Sequence, residues 1–118
     1  MSIMDMSEIM ATEPLKPAIF HILLALASGD SHGYVIMQAV RDQSGGRVPQ
    51  QTGSFYRHLS RLIDLGLVAE APAPRQVEDP RRGTHYRLTP RGRKALELER
   101  QHLSLLVTSM NALRKGTL

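Results

Sequence analysis

Residues 51–66 constrain the fold more than any other stretch, because they predict a short helix with two different sides. Apolar residues recur there at i, i+4 and i+7, the spacing of one helix face; they are Phe55, Leu59 and Leu62. Arg57 and Arg61, four residues apart, lie on another face. Gly66 predicts a left-handed cap at the end of the helix. Such a helix can pack on a core and present cations to a groove of DNA; the alternative is a surface helix with two solvated arginines.

The composition indicates one small domain and excludes several classes of site. The chain has 118 residues, of which 42% are hydrophobic, with no cysteine and no tryptophan. Disulfides, thiolate zinc sites and cysteine nucleophiles are therefore excluded. The chain has neither a basic leader nor an apolar run long enough to span a membrane. We expect a cytoplasmic protein that needs no cofactor and no metal.

Positive charge is concentrated in the middle of the chain. Residues 41–94 contain eleven Lys and Arg against five Asp and Glu, a balance of 11 − 5 = +6, whereas the whole chain carries +4. Residues 1–15 contain three acidic residues and no basic one. A basic region of this kind favours a polyanionic partner, although a generally basic surface would give the same totals.

Two helices are predicted before the basic one. The first begins near Pro17 and has its apolar face at Ile19, Leu23 and Leu26. The second runs from about residue 33 to residue 44, and its predicted core side comprises Tyr34, Met37, Val40 and Ile36. Three helices in this order, the third of them basic, are typical of a helix-turn-helix.

A hairpin is predicted after Gly66. Residues 67–71 and 84–88 have strand patterns, and about ten residues with several arginines connect them. In the second strand, Tyr86 and Leu88 share one side, while His85 and Arg87 share the other. A basic hairpin in this place is the wing of a winged helix, and its tip offers Arg75, Arg81 and Arg82 for phosphate contact.

The last predicted helix has more apolar surface than a small domain can cover. Thr89 is a suitable N-cap, Pro90 takes the first helical position, and the pattern continues to about Arg114. Coiled-coil spacing relates the seam residues Leu96, Leu103, Leu106, Met110 and Leu113. We therefore expect a twofold dimer through this helix; the alternative is that it packs back on its own domain.

Six short motifs in register resemble the PadR family of winged-helix transcriptional regulators. They are ILLAL at 22–26 with Gly29, HGY at 32–34, GSFY at 53–56, GLV at 66–68, DPRR at 79–82 and YRLTPRG at 86–92. The single helix after the wing resembles the smaller branch of the family, in which that helix serves dimerisation.

The resemblance implies a mainly α fold with a small β-hairpin, namely a winged helix-turn-helix plus a C-terminal dimerisation helix. We expect residues 1–15 to form a flexible arm, residues 16–89 the DNA-binding domain, and residues 90–118 the dimerisation helix. The resemblance also implies a homodimeric regulator, most often a repressor, that is released from its operator by a hydrophobic small molecule. In some members an aromatic residue at the dimer interface stacks on the ligand, but this chain has no Trp, Tyr or Phe after Tyr86.

The predicted site follows from docking the front end of the third helix in the major groove of double-stranded DNA. The candidate contacts on this helix are Gln51, Thr52, Ser54, Tyr56, Arg57, His58 and Arg61. We expect Arg57 or Gln51 to read bases, because Arg bonds guanine and Gln bonds adenine in bidentate fashion, and Arg61 to bind phosphate. An effector pocket is expected between the first and last helices across the dimer, lined by Leu, Met and Val.

Catalysis is not expected. The sequence has no glycine-rich phosphate loop, no His-Glu metal pair and no serine elbow. The alternative to a DNA-binding regulator is a dimeric adaptor that binds another protein and no DNA.

Overall fold

The computed structural model describes residues 15–49, 51–72 and 84–116. Within these ranges the chain forms four helices and three short strands. In order they are α1 (Pro17–Leu26), β1 (Ser31–His32), α2 (Gly33–Gln43), α3 (Thr52–Asp64), β2 (Val68–Ala71), β3 (His85–Leu88) and α4 (Pro90–Gly116). The mainly helical winged-helix prediction is confirmed. Of the predicted arm, residues 1–14 lie outside the described residues.

The first three helices bury one face each in a common core. In α3 the predicted apolar side, Phe55, Leu59 and Leu62, is fully buried. In α1 the predicted face is buried too, and Ile22, which lay outside the predicted face, is as deeply buried as Leu23. The first helix is therefore covered on a broader face than the i, i+4, i+7 stripe alone indicates.

The predicted hairpin is the larger part of a three-stranded antiparallel sheet. Strands β2 and β3 pair with Val68 opposite Leu88 and Ala71 opposite His85. The sheet order is β1-β3-β2. The sequence did not predict β1, where the segment before α2 had the residues of a turn; its two residues pair with Tyr86 and His85.

The prediction for Tyr34 is wrong, because the core side of α2 is Gly33, Ile36 and Val40. Tyr34 is 61% exposed. It lies across the helix from Ile36, its ring stacks on His32, and its hydroxyl accepts a hydrogen bond from Gln38 at 3.0 Å. The other three predicted core residues, Ile36, Met37 and Val40, do pack on the core. Tyr34 lies at the edge of this apolar face, where spacing alone does not decide whether a side chain is buried.

His85, which shares a side of β3 with the exposed Arg87, is only 8% exposed. His85 lies on the central strand, and His32 of β1 covers it with ring centroids 5.7 Å apart. Its Nδ1 has no hydrogen-bond partner among the residues that the structure describes. Strand β1, which was not predicted, therefore contributes to the burial of His85 through the adjacent His32.

Two features connect α3 to α4. Gly66 has φ = +77°, the left-handed conformation that glycine adopts without strain, so the predicted cap is confirmed. Thr89 caps α4 as predicted, since its hydroxyl oxygen accepts the Gly92 N–H at 3.0 Å. The same hydroxyl donates to the Gly66 carbonyl at 2.6 Å. The position of α4 is therefore fixed relative to the end of α3.

The 27 residues of α4 extend well beyond the sheet and the other helices. At 1.5 Å per residue the helix is about 40 Å long. Its first turns pack through Ala95 and Leu96 on the core, whereas the side chains from Leu103 to Arg114 are exposed. None of the described helices combines the length and the hydropathy that crossing a bilayer requires.

Candidate nucleic-acid interface

The exposed side of α3 is polar and basic. Because Phe55, Leu59 and Leu62 anchor the helix in the core, the opposite side is fixed in orientation. Among the predicted contact residues, Gln51, Thr52, Tyr56, Arg57 and Arg61 are exposed, and Ser54 and His58 are half-buried. No acidic residue occurs in the first turn. The front end of the helix therefore combines exposed hydrogen-bonding groups, two guanidinium groups and the positive end of the helix dipole.

The two arginines of α3 differ in how they are held. Arg57 donates a hydrogen bond from Nη2 to the Ser54 hydroxyl at 3.1 Å. This bond directs the Arg57 guanidinium along the helix surface towards the N-terminal end of α3. A bidentate contact of an arginine with a planar partner requires such a fixed direction. Arg61, one turn later, is exposed.

Tyr56 supports α2 as well as facing solvent. A Cβ atom added to Gly33 would lie 2.5 Å from the Tyr56 hydroxyl oxygen and 3.1 Å from two ring carbons. The tyrosine ring therefore packs on the first residue of α2, where a side chain would require the ring to move. The role of Gly33 was missed from sequence, although a glycine at a predicted helix start is the signal that could have indicated it.

His58 is half-buried between cationic groups. Burial lowers the pKa of its imidazole, and the positive charges of Arg57 and Lys16 lower it further. Near neutral pH this histidine is a neutral hydrogen-bonding group rather than a third cation of α3.

The predicted wing contacts Arg75, Arg81 and Arg82 lie outside the described residues, and so does Gln50, which precedes α3. Arg87 on β3 is exposed near the base of the same hairpin. Metal ligands are not brought together: residues 15–49, 51–72 and 84–116 contain no group of three or more His, Asp or Glu side chains suited to a metal ion.

The predicted seam of α4 is exposed except at its start. Leu96 is half-buried against the core, whereas Leu103, Leu106, Met110 and Leu113 are exposed apolar side chains on one side of the helix. Leu105 and Val107 add exposed apolar surface beside them. An apolar surface of this extent is unusual on a monomer and is typical of protein contacts.

A groove of about 450 Å³ lies between α1 and α4 of a single chain. Its lining residues are Phe20, Leu24, Leu88, Arg93, Leu96, Glu97, Arg100 and Leu103. The lining is leucine-rich, has no Met or Val and includes three charged residues; the pocket predicted across the dimer remains a prediction. Although the chain has no Trp, Tyr or Phe after Tyr86, the groove does have one aromatic ring in its lining, which Phe20 of α1 supplies. The sequence placed Phe20 on the apolar side of the first helix but did not predict that it lines a groove with Arg93, because the two residues meet only when α1 packs on α4.

Taken together, the three-helix core, the three-stranded sheet with its hairpin and the basic third helix define a winged helix-turn-helix protein. The sequence model of the transcriptional regulator PadR-like family matches residues 22–98. The chain belongs to this family of transcriptional regulators.

One relative is similar to most of this chain. An uncharacterized 37.1 kDa protein in transposon TN4556 of Streptomyces fradiae is 39% identical over 85 residues, or 72% of this chain. The chain spans only 22% of the length of that relative.

Two solved structures share the fold. A PadR family transcription regulator from Clostridium difficile is 24% identical, with a TM-score of 0.70 over 83% of this chain and 98% of that one. Bacillus subtilis PadR in complex with operator DNA is 22% identical, with a TM-score of 0.58 over 70% of this chain and 45% of that one.

Proposed function

We propose that this protein is a sequence-specific regulator that binds double-stranded DNA in the cytoplasm as a homodimer and acts as a repressor. The observation that carries the proposal is the basic, outward-facing side of α3 on a helix whose other side is fixed in the core. In a winged helix-turn-helix this helix is the one placed to enter the major groove. Bacillus subtilis PadR, a protein of the same fold, has been solved in complex with operator DNA, which supports DNA binding by this chain.

The roles of the α3 residues follow from their positions. Arg57, oriented by Ser54, and Gln51, at the front of the helix, read base edges. Arg61 binds phosphate one turn further along, and the hairpin arginines bind the flanking backbone. Two copies joined by α4 place their recognition helices on half-sites about 10 base pairs apart.

The groove between α1 and α4 supports binding of a hydrophobic effector. Its apolar walls are formed by side chains such as Phe20, Leu24 and Leu103, and Leu103 also belongs to the predicted dimer seam. A ligand in this groove would contact the helix that sets the distance between the two recognition helices. Release from the operator would then follow from a change in that distance.

Salt-dependent binding to duplex DNA tests the proposal. If the dimer contacts about eight phosphates, the logarithm of the association constant falls with the logarithm of salt concentration at a slope near −7. Arg57→Ala should cost about 1–3 kcal/mol on the operator and relax specificity, because it removes a base contact. Arg61→Ala should weaken binding to all sequences and reduce the salt slope by about 1.

Arg114→Ala is the matched control, because it removes the same charge from an exposed position on distal α4. Its affinity should be close to that of the wild type in fluorescence anisotropy with labelled operator. Equal losses for all three variants would show that net charge alone drives binding. A slope near zero, with no retention on heparin, would refute the DNA-binding proposal and favour the dimeric adaptor.

A further inference from the structure

Lys16 is an exposed cation that the predicted contact residues do not include. It stands immediately before α1, and its carbonyl accepts the Phe20 N–H at 2.9 Å, which closes the first turn of that helix. Lys16 has no ion pair with any residue that the structure describes. An exposed cation of this kind is free to bind an anionic partner.

The chain enters α1 from a fixed direction. The backbone N–H of Leu15 donates to Oε2 of Glu99 on α4 at 2.9 Å, and Glu99 is only 8% exposed. Breaking this bond would leave a buried acceptor without a partner, which is unfavourable. The backbone of Lys16 is therefore held from both sides, by α4 just before it and by the first turn of α1 just after it.

The charge of Lys16 acts on one residue of α3. Burial lowers the pKa of His58, and the positive charges of Arg57 and then of Lys16 lower it further. Solvent screens exposed charges beyond about 10 Å, so the ammonium of Lys16 lies within reach of His58. The packing agrees, because α1 and α3 share one core, to which they contribute Ile19 and Phe55. The start of α1 is therefore beside α3.

His58 marks the border between the basic side and the buried side of α3. At 100° per residue, it lies about 60° from Arg61 and about 40° from Leu62 around the helix axis. Leu62 is fully buried, and Arg61 is exposed. A helix with its side chains is about 10–12 Å across and the major groove is about 12 Å wide, so the edges of an inserted helix face the phosphates of the groove walls. A cation beside this edge of α3 therefore meets phosphate.

We propose that Lys16 is a phosphate-binding residue of the DNA interface, which extends the contact surface of α3 to the start of α1. This inference rests on the proposed function, because it requires α3 to lie in the major groove. A lysine suits the role, since its ammonium is a compact charge on a flexible stem and binds phosphate without the fixed direction that a bidentate contact requires. The contact adds affinity for any duplex and no preference for a base sequence.

Salt-dependent binding to duplex DNA tests Lys16 separately from the rest of the interface. The probe is a fluorescein-labelled duplex of mixed sequence, because a phosphate contact does not require the operator. At about 0.1 M salt, Lys16→Ala should weaken binding about fivefold for each chain that contacts the duplex, and the salt slope should become shallower by about 1 per chain. Lys16→Arg keeps the charge and should keep both values close to those of the wild type.

Lys94→Ala is the matched control, because it removes an exposed lysine near the start of α4, where β3 has run away from the connection of the hairpin. Its affinity and salt slope should equal those of the wild type. If the wild type binds with a steep slope and Lys16→Ala has the same slope, this inference is overturned and the proposed function stands. Equal losses for Lys16→Ala and Lys94→Ala would also overturn it, because net charge would then explain both. If the wild type does not bind the duplex, the proposed function fails and this inference fails with it.

A titration without DNA tests the position of Lys16. The imidazole signal of His58 is followed by proton NMR through the pH range and is identified by its loss in His58→Gln. Lys16→Ala should raise the pKa of His58, because it removes a neighbouring positive charge, whereas Lys94→Ala should leave it unchanged. Circular dichroism and the unfolding midpoint report whether each variant is folded. An unchanged pKa of His58 in folded Lys16→Ala would show that Lys16 does not lie beside α3, and would overturn the inference.

Discussion

The helices α3 and α4 are both amphipathic, yet they leave opposite kinds of surface exposed. In α3 the side chains of Phe55, Leu59 and Leu62 are fully buried, and the outward side carries Arg57 and Arg61. In the distal half of α4 the outward surface is apolar, with Leu105, Leu106 and Met110 all exposed. The first surface suits a polyanion, and the second suits another protein surface.

This difference shows that amphipathicity alone does not identify a binding helix. In α3 the apolar side packs in the core of its own domain, so the polar side is the candidate for a binding function. For distal α4 no described part of the chain covers the apolar side, so the apolar residues themselves are the candidates for function. The predictions below test this division.

The largest expected effect is on the buried side of α3. Phe55→Ala should reduce the free energy of unfolding by about 3–5 kcal/mol, because it leaves a cavity in a fully packed core. Arg57→Ala, two residues away on the exposed side, should change it by less than about 0.5 kcal/mol. Urea denaturation followed by circular dichroism measures both. If both variants lose a comparable free energy of unfolding, the exposed side of α3 contributes to stability as much as the buried side does, which would contradict the division.

The next effect is on self-association through α4. Leu106→Lys should weaken the dimer by about 2–4 kcal/mol, or roughly 30-fold or more in Kd, because it places a charge in an apolar seam. Thr108→Lys, an exposed position on the opposite side of the helix, is the matched control and should leave association nearly unchanged. Sedimentation velocity over a dilution series measures both. An identical monomer–dimer profile for wild type and Leu106→Lys would refute the seam.

How much could be predicted differs between local patterns and long-range contacts. The helix with Phe55, Leu59 and Leu62 was predicted because spacing and burial coincide there. Tyr34 was misplaced because it lies at the edge of the apolar face of α2, where spacing alone does not decide whether a side chain is buried. The burial of His85 was not predicted, because β1, which lies beside it, has only two residues, too few to give a strand pattern.

The site shows the same division. The exposure of Arg57 and Arg61 followed from the helical period, and their contact with DNA remains a prediction. The packing of Tyr56 on Gly33 and the bond from Leu15 to Glu99 join residues far apart in sequence, the second across 84 positions. No local pattern contains that information; it arises only when the elements pack.

The packing of Tyr56 on Gly33 gives a further test of how α3 is held. Alanine is favoured over glycine in a helix by up to about 1 kcal/mol, but here its Cβ would lie 2.5 Å from the Tyr56 hydroxyl. Overpacking costs about 1–3 kcal/mol, so Gly33→Ala should be destabilising. In a Tyr56→Ala background the clash is absent, and the same substitution should become neutral or stabilising. Thermal unfolding of the four proteins completes the cycle; an effect of equal sign and size in both backgrounds would contradict the contact.

The smallest effect expected is a pH dependence contributed by His58. Burial, and then the charges of Arg57 and Lys16, lower the pKa of this imidazole below its usual value of 6.5, so the folded protein binds the proton less readily than the unfolded chain does. The stability that neutral His58 contributes is therefore fully present above about pH 6.5 and is lost as the pH falls through the lower pKa of the folded state. Between pH 8 and pH 5, His58→Gln should consequently lose less stability than the wild type in urea titrations, because glutamine cannot be protonated in that interval. If the wild type and His58→Gln lose equal free energy of unfolding over this interval, protonation of His58 does not destabilise the folded protein. The imidazole would then be more exposed to solvent than its half-buried position indicates.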